Sequence, residues 1–182
     1  MTTAIAPTAT SWKLDPSHTT VEFSAKHMMF TTVKGRFADF EGTINVPGPT
    51  LADATVVATM KTASIDTRVE QRDQHLRSAD FLDAENFPDV TFKSTKLDGT
   101  KDEFTMTGDL TIRGTTRPVT LDVTFEGTGT DPWGNERMGF SASGKIDRRD
   151  FGLTWNQALE AGGILVGNDI KIQIDAQIIH GA

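Results

Sequence analysis

The residues best suited to chemistry lie close together in one short stretch of the chain, QRDQHLRSADF at residues 71–81. Its ionisable side chains are those of Arg72, Asp73, His75, Arg77 and Asp80. Groups of these types can act as general acids or bases, bind a metal ion, or contact an anionic ligand. The function of the stretch therefore depends on the elements that position it and on what surrounds it.

The spacing of this stretch does not favour a metal site. Ligands on one helix face lie three or four residues apart, whereas the carboxylates nearest His75 are those of Asp73 and Asp80. Nucleophilic catalysis is no better supported, because the chain has no G-x-S-x-G motif and no serine with an assignable base. We therefore predict no catalytic residue, no metal ligand and no cofactor.

Two interpretations of the stretch remain. The first is a structural network of Arg, Asp and His side chains that ties a helix and its following loop to the rest of the fold. The second gives Lys26, Arg72 and His75 a role as contacts for an anionic head group, since a diphosphate would need cationic donors.

The residues just before the stretch predict that it lies on a surface helix. TRVE at residues 67–70 has the pattern of a capping box, in which Thr67 caps the helix and Glu70 reaches back. Val69 and Leu76 are seven residues apart, so they predict a narrow apolar stripe on one helix face. Two weaker helical candidates follow, a turn capped by Ser78 and the segment 158–161.

Composition excludes several classes of partner. The chain has 182 residues, with 18 Lys and Arg against 25 Asp and Glu, which gives a net charge of −7. This charge repels nucleic acid and an anionic membrane surface, so we expect neither as a partner. The chain has no cysteine, which excludes disulfides and thiolate metal sites. No stretch has the roughly 18 apolar residues of a membrane-spanning helix.

The beginning of the chain, MTTAIAPTATSW, has no basic residue before Lys13 and no apolar run typical of a signal peptide. We therefore expect a cytoplasmic protein, or a periplasmic one if a leader is missing from this sequence. The length suits one domain. We predict a flexible tail at residues 1–11 and a single domain at residues 12–182.

Most of the chain alternates between apolar and polar residues in the manner of half-buried antiparallel strands. The alternation holds at every position of residues 104–112, 119–126 and 170–178. The apolar parity shifts between Phe37 and Phe40, which predicts a bulge or bend there. With the intervening turns, we predict an all-β fold of about eight strands, closed into a barrel because closure removes exposed edges.

The interior of an eight-stranded barrel is either filled by side chains or holds one small ligand. Small residues recur among the apolar positions and predict an open apolar tunnel; they include Ala25, Ala58, Gly108, Ala142, Gly144 and Ala176. A solid core filled by the eleven phenylalanines is the alternative.

The chain also resembles a known family, the YceI-like or polyisoprenoid-binding proteins. Six ordered stretches carry the resemblance: LDPSHTTVEFSAKHM (14–28), VKGRFADFEGTI (33–44), SIDTRVEQRDQHLRSADFLDAENFPDVTFKS (64–94), GDLTIRGTTRPVTLDV (108–123), KIDRRDFGL (145–153) and VGNDIKIQI (166–174). The resemblance implies an extended lipocalin-like antiparallel barrel with one or two short helices. It also implies that the pore binds a long isoprenoid, such as a polyprenyl diphosphate or a quinone, without catalysis.

On this basis we predict a carrier, reservoir or sequestering protein for an isoprenoid or a similar amphiphile, with a homodimer as one expected assembly. The predicted pore-lining residues are Phe23, Phe40, Met106, Leu110, Leu121, Phe125, Phe140, Ile172 and Ile174. The alternative is a lipocalin-type barrel enzyme that acts on a lipid-like substrate at the pore mouth.

Two further groups of residues are expected to be structural. Arg148 and Arg149, in DRRDF, have the pattern of a solvated or salt-bridged strand end. The three tryptophans are expected to pack in the fold or to lie at the pore mouth; they are Trp12, Trp133 and Trp155.

Overall fold

The structure, a computed structural model, describes residues 10–181, which form eleven strands, one α-helix and three short 3₁₀ turns. The strands are β1 (Thr10–Leu14), β2 (Thr20–His27), β3 (Thr31–Phe37), β4 (Phe40–Val46), β5 (Thr55–Lys61), β6 (Ile65–Asp66), β7 (Asp89–Gly99), β8 (Glu103–Ile112), β9 (Thr115–Thr130), β10 (Glu136–Asp147) and β11 (Asp169–His180). The helix, α1, spans Glu70–Arg77. The 3₁₀ turns are Leu51–Asp53, Thr62–Ser64 and Arg148–Phe151.

Eight of the strands close a ring, in the order β1, β4, β5, β7, β8, β9, β10, β11 and back to β1. The other three extend it, because β2 pairs with β11, β3 with β2, and β6 with β3. Within the chain, β1 and β2, β3 and β4, and β5 and β6 follow each other as halves of long bent strands. The result is an eight-stranded antiparallel barrel, which confirms the predicted all-β class.

The bend predicted by the parity shift lies between β3 and β4. Phe37, at the end of β3, pairs with Ile65, whereas Phe40, at the start of β4, pairs with Met60. The change of partner turns the chain from the extension into the closed ring. Further along the chain, β5 is flanked by two of the 3₁₀ turns.

The alternating strands place their residues as predicted. On β9, Val119, Leu121 and Val123 are buried, while Thr120 and Asp122 between them are exposed. Two register shifts, between Ser94 and Lys96 on β7 and between Gly139 and Phe140 on β10, interrupt the ladders and were not predicted.

The barrel has two distinct ends because its strands run up and down. The helix end is formed by residues 27–31, 62–88, 112–115 and 147–168, and includes α1. The opposite end is formed by the connections at residues 46–55, 99–103 and 130–136. No helix within residues 10–181 combines the length and apolarity that crossing a membrane requires.

The start of α1 differs from the predicted capping box. The N-cap is Val69, and it makes no side-chain capping bond. Thr67 instead donates its hydroxyl and its backbone N–H to Asp73 Oδ1, the latter at 2.9 Å. The Thr67 hydroxyl therefore bonds to the buried carboxylate of Asp73 and does not cap the helix as the capping box would require. The apolar stripe is also wrong, since Val69 is 47% exposed and only Leu76 packs on the core.

The two weaker helical candidates are not helices. Ser78 ends α1 by donating its hydroxyl to the carbonyl of His75 at 2.6 Å, and hydrogen-bonded turns follow. In the segment 158–161, Ala158 instead forms a β-bridge with Ile164 across a turn. Of the tail expected at residues 1–11, Thr10 and Ser11 lie in β1 instead, and the other residues lie outside the described residues.

Candidate functional site

The barrel encloses a cavity of about 930 Å³ that extends through its length. It reaches exposed residues at both ends, Lys26 and His27 at the helix end and Thr50 and Lys101 at the opposite end. Between them its wall is almost entirely apolar. The volume lies within the range of small-molecule sites. The open tunnel predicted from small strand residues is present, and the solid core is wrong.

The small residues contribute to this space in two ways. The four alanines predicted to open the tunnel line the cavity directly; they are Ala25, Ala58, Ala142 and Ala176. The two glycines do not, because neighbouring side chains cover them. A Cβ at Gly108 would lie 2.3 Å from Phe92 Cζ, and one at Gly144 would lie 2.6 Å from Leu121 Cδ2. The glycines therefore let large side chains lie flat against the wall.

All nine predicted pore residues lie in the wall of the cavity. Phe40, Leu110 and Leu121 are buried, and the others are partly buried around the same core. Their contact with a lipid stays a prediction. Large lining residues that were not predicted include Met60, Phe81, Leu82, Val90, Phe92 and Leu97. Of these, Val90 and Phe92 stand in a short alternating run, which is the signal that could have identified them.

Three aromatic rings lie close together in the half of the cavity near the opposite end. The Phe140 ring lies 5.4 Å from that of Phe125 and 6.4 Å from that of Phe104, measured between centroids. The register shift on β10 sets this contact, since it places Phe140 opposite Phe125 although Gly139 pairs with Gly127. The three rings therefore form one aromatic cluster in the wall of the cavity.

The stretch at residues 71–81 lies at the helix end and forms a local network. Arg72 donates from Nε to Thr67 Oγ1 and from Nη2 to Thr67 O, each at 2.7 Å. His75 Nε2 lies 2.9 Å from Asp80 Oδ2. The His75 ring also packs edge-on against Phe81 and Trp155, with centroids 5.0 and 4.6 Å away. These contacts join α1 to the segments on either side of it and to the loop between β10 and β11.

The same residues also face the cavity. Arg72, His75 and Lys26 all line it, so the network does not exclude a second role as contacts for a head group. Lys26 Nζ donates to Thr32 Oγ1 at 2.8 Å, which holds the ammonium near the β2–β3 turn. The head-group role stays a prediction.

Arg148 is the cationic residue that sequence reasoning assigned wrongly. It is only 4% exposed, and it lines the cavity rather than standing in solvent. Its guanidinium donates to four backbone carbonyls, those of Leu153 (2.7 Å), Trp155 (2.8 Å), Gly167 (3.0 Å) and Val166 (3.3 Å). Burial lowers the pKa of Arg148 from its usual value. The side chain thereby holds the loop between β10 and β11 against the end of the barrel.

Arg149 behaves as predicted for both arginines. It is exposed and forms an ion pair with Asp147, with Nη2 and Oδ2 2.6 Å apart. Hydrogen bonds from the Arg149 side chain and backbone hold the pKa of Asp147 at about 2. The two neighbouring arginines differ because one points into the barrel and the other into solvent.

Two of the three tryptophans match their expected role. Trp12 is buried and Trp155 half-buried, and both line the cavity. Trp133 does neither: it is 82% exposed in the turn between β9 and β10 at the opposite end. Within residues 10–181, no three or more His, Asp or Glu side chains cluster in a way that could hold a metal ion. The absence of a metal or cofactor stays a prediction.

Comparison with known proteins gives consistent matches. The domain model of the YceI-like family matches residues 12–178. Protein YceI of Escherichia coli O157:H7 is 42% identical over 155 residues, 84% of this chain and 81% of that protein. BcnA of Burkholderia cenocepacia has a TM-score of 0.78 at 22% identity, covering 90% of this chain and 98% of its own. A polyisoprenoid binding domain from Saccharophagus degradans, implicated in plant cell wall breakdown, gives 0.67 at 13% identity, covering 93% and 98%.

Proposed function

Because the chain belongs to the YceI-like family and surrounds a long apolar cavity, we propose that it binds one long-chain isoprenoid or a similar amphiphile as a carrier or reservoir. The observation that carries the proposal is the cavity itself, about 930 Å³ of apolar space that runs from one end of the barrel to the other. A solvent-filled space with such walls would leave many apolar side chains hydrated, and a hydrocarbon chain would remove that cost.

Hydrocarbon burial alone can supply tight binding. At roughly 0.8 kcal/mol per buried CH₂, a chain of fifteen carbons would contribute on the order of 12 kcal/mol before the cost of ordering it. Noncovalent affinities saturate near about −18 to −21 kcal/mol, so longer chains cannot keep gaining at that rate. Discrimination between ligands by chain length should therefore exceed discrimination by head group.

The head group is proposed to lie at the helix end. Arg72, Arg148, His75 and Lys26 all line the cavity there and can donate hydrogen bonds to an oxygen-rich group such as a diphosphate or a quinone carbonyl. Arg148 supports this orientation most strongly, because its buried guanidinium donates to neutral carbonyls and keeps its full charge.

The ligand class is also supported by a relative in fold. The Saccharophagus degradans domain is named for polyisoprenoid binding, and at 13% identity its likeness concerns the fold. The carrier is preferred over the barrel enzyme because the ionisable groups of α1 and Arg148 are held in bonds to charged side chains, to a hydroxyl or to the backbone. Location in the cytoplasm and a homodimeric assembly stay predictions, which cell fractionation and light scattering of the purified protein test.

Denaturing extraction of the purified protein, followed by mass spectrometry of the extract, tests the proposal. A carrier yields an isoprenoid or similar lipid in near-equal amount to the protein. In a second arm, the protein is incubated with a polyprenyl diphosphate and extracted again. Recovery of the unchanged diphosphate supports a carrier, whereas its conversion to a product would establish the enzyme instead.

A further inference from the structure

The turn between β2 and β3, at the helix end, exposes three consecutive large apolar residues. Met28, Met29 and Phe30 are 39%, 61% and 73% exposed. We call residues 28–30 the apolar tip. Among the described residues, the large hydrophobic side chains with comparable exposure elsewhere are single ones, such as Trp133 at the opposite end. A contiguous exposed apolar group of this kind is typical of an interaction site.

The backbone of the apolar tip is not the one its residues prefer. Met28 and Met29 have positive φ, 51° and 71°, and Phe30 N–H donates to the carbonyl of His27 at 3.3 Å. Two central residues with positive φ define the hairpin turn for which Asn-Gly is strongly preferred. Methionine here costs conformational energy, and packing offsets this cost only in part: Met29 Sδ lies against Gly163, yet Met29 stays 61% exposed. Backbone strain that packing offsets only in part is a pointer to function.

The apolar tip lies beside the mouth of the cavity. The hairpin that carries it lines the cavity with Ala25 and Val33. Met28 N–H donates at 2.8 Å to the carbonyl of Leu165, another lining residue, in the loop that Arg148 holds. A lipid that entered at the helix end would therefore pass next to the exposed methionines and Phe30.

The hairpin that carries the apolar tip is basic, although the net charge of the chain is −7. Its segment FSAKHMMFTTVKGRFA, residues 23–38, contains Lys26, Lys34 and Arg36 and no carboxylate; Arg36 forms an ion pair with Asp66, so the charge available to a partner is that of Lys26 and Lys34. Basic residues next to an anionic bilayer are attracted to its surface. Local charge can thus attract a surface that the net charge would repel.

We propose that the apolar tip inserts into the interfacial layer of a lipid bilayer that contains anionic lipid, so that cargo passes between the bilayer and the cavity mouth. Apolar side chains enter the boundary between head groups and acyl chains, and flanking lysines contact the lipid phosphates. The passage of cargo rests on the proposed function, while the docking itself does not. The turn with Trp133 is the natural comparison, because its sequence DPWGNE is acidic.

The test uses vesicles of phosphatidylcholine with and without phosphatidylglycerol, and measures flotation of the purified protein with them. The decisive variant is the double substitution Met28→Asn with Met29→Gly, which supplies the residues that the turn prefers. It should raise the melting temperature, because strain is relieved, and weaken vesicle binding by roughly tenfold or more, because apolar surface is lost. Lys34→Gln should reduce the difference between the two vesicle types.

The chain has no cysteine, so a single introduced thiol can carry an environment-sensitive fluorophore. With vesicles, the emission of a label at Phe30→Cys should shift to the blue, and that of a label at Trp133→Cys should not. No shift at position 30, a shift at position 133 alone, or wild-type flotation of the Asn-Gly variant would overturn the proposal. If the protein floats with vesicles but its cavity holds no lipid, the result counts against the proposed function only. If the protein holds lipid but does not float with vesicles, the result counts against the docking only.

Discussion

The two ends of the barrel hold their charged groups in different ways. At the helix end, Arg148 and Arg72 bond to backbone carbonyls and to a hydroxyl, and both line the cavity. At the opposite end, Arg137 bonds to the carboxylates of Asp15 and Asp131. Among the described residues, Arg148 and Arg72 form no ion pair, whereas Arg137 forms two. The helix end therefore presents more cationic donors to the cavity than the opposite end, where Lys101 is the lining cation.

The charge cluster of the opposite end, formed by Arg137, Asp15 and Asp131, has a structural role. Arg137 also donates to Gln177 Oε1 at 2.9 Å, which joins β10 to β11 beside the loop that holds Asp15. Burial would raise the pKa of Asp15, but hydrogen bonds from Ser17, His18 and Arg137 lower it well below its usual value. Hydrogen bonds from Asn135 and Arg137 likewise lower the pKa of Asp131.

The largest expected effect comes from a charge placed between the two ends. Leu121 is 4% exposed in the cavity wall, and Leu121→Asp would leave a carboxylate unpaired among apolar groups. We expect a loss of several kcal/mol or expulsion of the lipid. Thr120→Asp, on the outward face of the same strand, is the control and should do neither. Thermal unfolding and lipid extraction measure both variants, and retention of lipid by a folded Leu121→Asp protein would contradict the assignment of faces.

The next largest effect is a loss of stability caused by a substitution at the helix end alone. Arg148→Met removes the donor to four buried carbonyls and should cost about 3 kcal/mol, a fall of roughly 6–12 °C in melting temperature. Arg149→Met, at the adjacent exposed position, should change stability by less than about 0.5 kcal/mol. Equal effects of the two substitutions in thermal unfolding would show that Arg148 does not hold the loop.

A smaller effect sharpens the role of the network on α1. His75→Ala removes the bond to Asp80 and the packing on Phe81 and Trp155, and should cost about 1 kcal/mol, or roughly 2–4 °C. The same variant should keep its lipid, because the apolar wall supplies most of the affinity. If His75→Ala abolished a measurable catalytic activity without loss of stability, the structural interpretation would be wrong.

The smallest effect concerns the opposite end in acid. The pKa of Asp131 is lower in the folded protein than its unfolded value of about 3.9. The carboxylate therefore stabilises the fold fully at a pH above the unfolded pKa, and this contribution is lost as the pH falls through the folded pKa. The stability difference between the wild type and Asp131→Asn should therefore be largest near neutral pH. It should shrink at the acid end of a pH series of thermal unfolding curves. If the difference did not vary with pH, the Asp131 carboxylate would not be part of the stabilising charge cluster.

The parts of the molecule that follow from local pattern could be predicted from the sequence. Alternation over residues 104–112, 119–126 and 170–178 depends only on the period of a strand, so it identified strands and inward faces together. Six of the nine predicted wall positions lie in these segments and follow from the same rule. The parity shift between Phe37 and Phe40 also revealed the bend in advance, since a bend reverses which residues face inward.

The parts that depend on distant segments could not be predicted. Arg148 is buried because the loop over residues 153–167 folds back on it, and nothing in DRRDF encodes that loop. Thr67 fails to cap α1 because Asp73 competes for its hydroxyl. The apolar tip did carry a signal, a strand turn without Asn or Gly, but its meaning appears only once the turn is placed beside the cavity.

Native mass spectrometry of the intact, purified protein tests the central claim most directly. The account predicts that the folded chain carries one additional mass, matching a single long-chain lipid, and that heating releases this lipid unaltered. The same additional mass should be absent from Leu121→Asp and present in Thr120→Asp. A wild-type protein that showed only its bare mass, both as purified and after incubation with polyprenyl lipids, would contradict the assignment of the cavity as a lipid site.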